Sequence, residues 1–413
     1  MNPSRMLPGL VMAAALVAAL GACDNLSIEA DHVSDAPVGS RKIDPPKEEL
    51  LSPGSLEWQV ERVRIPSCQR PQGLTLDRRG RLFVACSLLG EIQVIDPDSM
   101  SVLETWGPFF EYFFKVDIVP GDNRVAAIGM SGRFFHLFNM RTGRLSARIK
   151  VGENLSDMKR IPGSSQYLVS ATQSRIVALI DAETEQLVRE IRFPAPVGYL
   201  AVGAGGNIAA ATGGVYALSR GEGHLVNGQV YIFDPRTTEE ILPAQTLSAG
   251  RQCREPIFVM EDSLLLTPNF GEGTISVFDA QARLLLRKLD VERGPERLVL
   301  GSDGRHVYCL NRISASVSVI QLSPMMVLRD IKLPAPPEHA VVSPDGSQLI
   351  VTLPQYSHDG GESGNYLALI DLGENALMDI IPAGGDPAAM TQSSDGRRVF
   401  VSNFQDNSIS IFR

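Results

Sequence analysis

One short phrase recurs eight times along this chain and limits what it can fold into: a variable residue, two apolar residues, then Asp or another polar residue. It stands at Gln93–Asp96, His136–Asn139, Ala178–Asp181, Tyr231–Asp234, Ser276–Asp279, Ser318–Gln321, Ala368–Asp371 and Ser410–Arg413. Successive phrases are 43, 42, 53, 45, 42, 50 and 42 residues apart. Helical solenoids share this period, but these units alternate apolar and polar with period two, so strands are expected. A unit of about 42 residues holding four short strands cannot bury both faces until neighbours stack on it. The expected architecture is all-β: a single β-propeller in which each phrase closes the third strand of a blade.

The other strands are legible around that anchor. Ser302-Asp303-Gly304 and Ser343-Pro344-Asp345-Gly346 make tight turns between first and second strands, because Asp caps its own turn and Gly accepts positive φ. Second strands follow, as at His306–Asn311 and Arg398–Asn403, and Asn269, Asn311 and Asn403 each fall ten residues before the closing polar position. On these residues the units resemble the YVTN β-propeller repeat, with Phe400-Val401-Ser402-Asn403 nearest the eponymous tetrapeptide. The resemblance extends over residues 56–413 and is weaker where the second unit has Ala127-Ile128-Gly129 and the fourth has Gly203-Ala204-Gly205-Gly206. It implies an architecture rather than a function, since one propeller fold hosts many tasks. Eight phrases predict eight blades, or seven if the second or fourth unit is not a blade. The last unit lacks a fourth strand, and the alternating segment Leu56–Ile65 is expected to supply it, closing the ring and covering an edge.

Ahead of the repeats, Arg5 and the apolar run Leu10–Leu20 read as a secretory signal over residues 1–22, too short to span a bilayer with margin. Leu20-Gly21-Ala22-Cys23 resembles a bacterial lipobox, which implies cleavage before Cys23 and acylation there with chains such as palmitate. Several acyl chains give stable anchoring. Asp24 after the Cys implies, by resemblance to enterobacterial lipoproteins, retention at the inner membrane, with the outer membrane as the alternative. Residues 23–55 are polar, charged and Pro-punctuated, and read as a tether. The formal charge of −9 argues against a nucleic-acid partner.

Four cysteines remain for the propeller. Cys68 lies three residues before Pro71, where a first strand begins, and Cys86 ends the second strand of the same blade, so a disulfide between them is expected in an oxidising compartment. Cys253 occupies the position equivalent to Cys68, and its candidate partner is Cys309 in the next blade. No C-x-x-C-H motif occurs, so covalent haem is not indicated, and the cysteine spacings do not resemble zinc sites.

Propeller ligands bind where loops enter first strands and leave second strands. The residues expected at that mouth include Arg70, Glu111, Asp157, Lys159, Tyr199, Arg254, Glu255, Glu296, Arg297, Glu338, His339 and Asp386, with Asn269, Asn311 and Asn403. Such a mixture suits a polar ligand or a partner's loop. Glu296, Glu338 and Asp386, with Asn311, are the oxygen set that a lactonase-like divalent metal site would need, and His339 is the candidate axial ligand or base. Two insertions, Thr212–Gly228 and Gln355–Asn365, carry His224 and His358 and read as contact loops. The reading is a membrane-anchored periplasmic binding or scaffolding module for an envelope protein or a polar ligand, without a cofactor. The alternative is a lactonase-like or d1-haem-related propeller working at the channel mouth.

Overall fold

In the computed structural model, residues 60–65, 68–121, 123–130, 132–206, 208–213, 227–354 and 365–412 are described. The signal, Cys23, the tether, Trp58, His224, His358 and all but the ends of both insertions lie outside them.

The repeat phrases become the third strands of eight four-stranded antiparallel meanders. Blade 1 runs through β2 (Pro71–Leu76), β3 (Leu82–Cys86), β4 (Glu91–Asp96) and β5 (Ser101–Trp106), and blade 2 through β6 (Phe113–Ile118), β7 (Arg124–Gly129), β8 (Phe134–Asn139) and β9 (Leu145–Lys150). Blades 3 to 7 repeat the order as β10 (Leu155–Arg160) to β13 (Gln186–Arg192), β14 (Val197–Val202) to β17 (Leu247–Arg251), β18 (Ile257–Val259) to β21 (Leu284–Asp290), β22 (Pro295–Leu300) to β25 (Met325–Lys332) and β26 (Ala340–Val342) to β29 (Ala376–Pro382). Blade 8 has β30 (Pro387–Gln392), β31 (Val399–Asn403) and β32 (Ser408–Phe412) from the end of the chain, and β1 (Val60–Arg64) from its start. β1 pairs antiparallel with β32, Val60 opposite Phe412 and Arg64 opposite Ser408. Eight blades and closure by the opening strand follow, as the repeat predicts.

Second and third strands are buried on both faces, and their alternation assigns each residue to one neighbour or the other. In β23 (His306–Asn311), Val307 and Cys309 pack towards blade 5 while Tyr308 and Leu310 pack towards blade 7. Eight apolar clusters result, one between each pair of adjacent blades. The closing cluster joins Phe400, Ile409 and Ile411 to Leu82, Val84 and Ile95. Between blades 1 and 2, Trp106 packs edge-on to Phe83. Gly143, at φ +63°, lies so close to the indole that a Cβ there would stand 2.2 Å from it.

Cys68 and Cys86 form a disulfide, with their Cα atoms 5.0 Å apart. Cys253 and Cys309 do not: both are buried thiols outside any disulfide, a correction to the expected pairing. Cys253 belongs to the cluster between blades 4 and 5 and Cys309 to that between blades 5 and 6, so a whole sheet separates them. Burial pushes the Cys253 thiol up to about 12.

Candidate functional site: the mouth of the central channel

First strands line the axis, and their pairing with second strands fixes one common level. Lys115 faces Ile128, Asp157 faces Ser170, Tyr199 faces Thr212, Arg297 faces Leu310 and Ala389 faces Ser402, each just past a bulge in its strand. His339 holds the same level in blade 7, its carbonyl accepting from the Thr352 amide. Arg254 donates its amide to Pro268 in the matching place of blade 5, which sets Glu255 at that level too. Blade 1 contributes Gly73, which with Gln72 spans the bulge between Pro71 and Leu74. The ring therefore reads Gly, Lys, Asp, Tyr, Glu, Arg, His, Ala: polar through six consecutive blades and small in the other two.

These side chains meet. Lys115 pairs with Asp157. Asp157 is buried and accepts further from the amides of Met158 (2.7 Å) and of Leu200 (2.8 Å) in blade 4. Glu255 is held by two cations: Lys159 of β10, and Arg297 at 2.9 Å. Burial opposes its charge, but Lys159, Arg297 and Lys115 outweigh this and hold the carboxyl well below the usual carboxylate range. Burial likewise opposes the ammonium of Lys159, and Asp157 and Glu255 outweigh it to raise the group. The His339 imidazole is driven well below its ordinary value by burial and then by Arg297, with Lys115 and Arg312 adding to the effect against Glu255. It is neutral at pH 7. Groups from blades 2, 3, 5, 6 and 7 thus feel one another across the axis.

One step nearer the mouth, Arg254 pairs with Glu296 (3.3 Å), stacks over Phe270 (4.6 Å to the ring centre) and reaches the Tyr199 hydroxyl (3.5 Å). Glu338 lies 3.8 Å from His339. Arg70 stacks over Phe404, away from this cluster, and its amide donates to Asn407. Arg70 and Asp386 both take a left-handed backbone just before their first strands. Glu111 sits at the edge of blade 2, paired with Arg148 (3.1 Å) and 3.9 Å from His136.

The three asparagines are not at the mouth. Asn269, Asn311 and Asn403 are fully buried, each amide donating to two hydroxyls of the neighbouring third strand: Thr274 and Ser276, Ser316 and Ser318, Ser408 and Ser410. This corrects the expectation of Asn311 as a mouth or metal ligand; it is a cross-strand lock. Among the described residues, no three His, Cys, Asp or Glu side chains form a group that could hold a metal. Glu296 is turned to Arg254 instead of towards a shared point with Glu338 and His339.

Two groups escaped sequence reasoning. Lys115 stands 42 residues before Asp157, and a search at the repeat interval finds it. Asp117, one level deeper, accepts from the Tyr167 hydroxyl (2.8 Å) and lies 3.4 Å from Arg160. Its carboxyl is raised by burial against the opposing effects of Arg160 and Tyr167.

No family model matches the chain. Antigen Lp49 of Leptospira interrogans is 22% identical over 149 residues, 35% of this chain and 33% of that protein, so the match spans about a third of the relative. Among solved structures, a chain of the Kuenenia stuttgartiensis hydrazine synthase is similar, with a TM-score of 0.51 and 14% identity over 72% of this chain and 94% of that one. At that identity the similarity concerns the fold alone, and it agrees with the propeller described above.

Proposed function

We propose that this chain is a non-enzymatic binding or scaffolding lipoprotein, anchored through Cys23 at the periplasmic face of the bacterial envelope, whose channel mouth engages an envelope protein. The observation that carries this reading is the mutual neutralisation of the mouth. Glu255 is clamped between Lys159 and Arg297, Asp157 is tied to Lys115, and Glu296 to Arg254. A general base or a metal ligand must keep its lone pair available for a proton or an ion. Carboxylates spent on fixed cations suit a rigid, charge-patterned docking surface instead. The lipobox-like Leu20–Cys23 and the polar segment after it support the anchoring.

A second reading, a cofactor-handling propeller, is favoured by His339 alone. Its imidazole is neutral and about a quarter exposed, so a nitrogen is available to an incoming ligand. One experiment separates the two. The full chain is captured from detergent-solubilised membranes under native conditions, beside an Arg254→Ala, Glu296→Ala, Glu338→Ala variant. A stoichiometric protein partner lost from the variant supports the binding module. A coloured or metal-loaded preparation without a partner sinks it.

A further inference from the structure

We infer that a cavity between blades 6 and 7, at the end of the ring opposite the channel mouth, binds an organic cation: a guanidinium or alkylammonium group. The cavity measures about 410 Å³ and opens among the turns that join first to second strands. Three carboxylates line it: Asp303 from the blade 6 turn, Asp345 from the blade 7 turn, and Asp371 at the end of the third strand of blade 7. The two turns meet there, since a Cβ on Gly346 would stand 2.2 Å from the Ser302 hydroxyl oxygen. A tyrosine distinguishes this space from a row of acidic turns. Tyr308 is 3% exposed, and its ring edge approaches Gly301 on the cavity wall. Its hydroxyl opens into the cavity and makes no hydrogen bond among the described residues. Burial, and then Asp303, push that hydroxyl up to about 12, so at neutral pH it keeps its proton and can both donate and accept. At the matching position of the second strand, five blades have Phe83, Leu168, Leu266, Ile350 and Phe400, and blades 2 and 4 have alanine. Packing between blades therefore does not call for a hydroxyl here. A buried hydroxyl without a partner is costly, and a ligand in the cavity would supply one.

The charge of the cavity, with its pairs and neighbours included, selects the occupant. Asp303 has Oδ2 2.6 Å from His306 Nδ1. Apart from that imidazole, none of the three carboxylates pairs with a cation among the described residues. Asp303 and Asp345 accept from amides or hydroxyls of their own turns, and Asp371 from the Glu374 amide. No lysine or arginine lines the cavity. Arg305 and Glu374 stand exposed beside it and cancel, which leaves three negative charges, or two with His306 protonated. Other spaces at this end of the ring are neutralised. The cavity between blades 3 and 4 sets Arg236 beside Asp181 and Glu183, and between blades 8 and 1 Arg81 pairs with Asp77 and Arg398 with Asp98. A metal ion needs its oxygen ligands to converge, and among the described residues no three acidic or imidazole groups do so. Carboxylates spread around a space of this size fit a cation with several N–H donors, one of which the tyrosine oxygen can accept. The site is independent of the channel mouth and of the anchoring at Cys23.

The test uses the full chain with isotope-labelled tyrosine rings, the Tyr308 signal in the NMR spectrum being assigned from Tyr308→Phe. Agmatine, a small amine that also carries a guanidinium group, should shift that signal saturably with a Kd of about 1 mM or tighter, and bind more weakly as salt is raised. By calorimetry, Asp303→Asn with Asp345→Asn should weaken binding about 10-fold, and Tyr308→Phe about 3-fold. Asp371→Asn, which leaves both turns intact, should also weaken it about 3-fold and serves if the double variant does not fold. The peptide acetyl-Gly-Arg-Gly-amide separates two sources of the cation. Peptide that binds as tightly as agmatine points to an arginine side chain of a protein, agmatine alone to a free amine, and either supports the site. A Tyr308 signal that neither probe moves overturns it. So does binding undiminished by the aspartate substitutions, or agmatine displaced by an equal concentration of magnesium, since that is a metal site.

Discussion

At the scale of single residues, buried polar side chains carry the tests. His136 lies in β8 among Phe113, Phe134 and Phe138, and is 2% exposed. Burial and then Arg148 lower its imidazole from the ordinary histidine value of 6.5 to about 4. The unfolded chain therefore takes up a proton as pH falls below about 6.5 that the folded chain refuses until about 4, and stability falls across that window, by about 3 kcal/mol at most. Urea midpoints should drop between pH 6.5 and 5, and His136→Leu should remove much of that slope; an unchanged slope refutes the assignment. Asn311→Ala removes two buried hydrogen bonds and should cost about 1–3 kcal/mol in denaturant unfolding, without altering partner capture. Loss of capture at unchanged stability would return Asn311 to the role of ligand. The periodicity of these asparagines is plain in the sequence. Their role is not, because spacing does not reveal whether an amide turns to the channel or to a serine on the next strand.

Among the elements, β1 has the largest consequence for its size. It supplies five residues to an otherwise three-stranded blade, and Arg62 bonds back to the Ala383 carbonyl. Val63 stands opposite Ile409 and packs against the cluster that joins blades 8 and 1. Val63→Pro removes a ladder donor and should uncover the edge of β32. The expected result is a loss of at least ~1 kcal/mol and rising light scattering at concentrations where the parent chain stays monodisperse. Undiminished stability would mean that the ring does not depend on this strand. Third strands were readable because both faces are buried and each ends on a fixed phrase. Fourth strands were not. β21 is exposed along almost its whole length, so no apolar alternation marks it.

Over the whole molecule, the channel network ties together blades that no sheet joins. Lys159 leaves blade 3 and ends on Glu255 of blade 5, which Arg297 of blade 6 also grips. Glu255→Gln leaves two cations facing each other and should destabilise the ring by about 1–3 kcal/mol. Adding Lys159→Met should restore part of that loss, a coupling measurable in a double-mutant unfolding cycle. Strict additivity would show the pair to be solvated and inert. The pH sense is that of a carboxyl held low: its contribution is present above the ordinary glutamate value of about 4.3 and is lost as pH falls through and below it.

The chain alone pointed to a ring of eight or seven blades, to closure by its opening strand and to the Cys68–Cys86 bridge, and the structure fixed the number at eight. Each follows from intervals within or between repeats, and strand alternation is a local property of the backbone. Tertiary structure decided what intervals cannot express. It put a sheet between Cys253 and Cys309, turned three asparagines inward onto serines, and gathered Lys115, Glu255, Arg297 and His339 around one axis. Which faces meet depends on how twisted sheets stack around a centre. Residues far apart in the chain become neighbours only when the circle is complete.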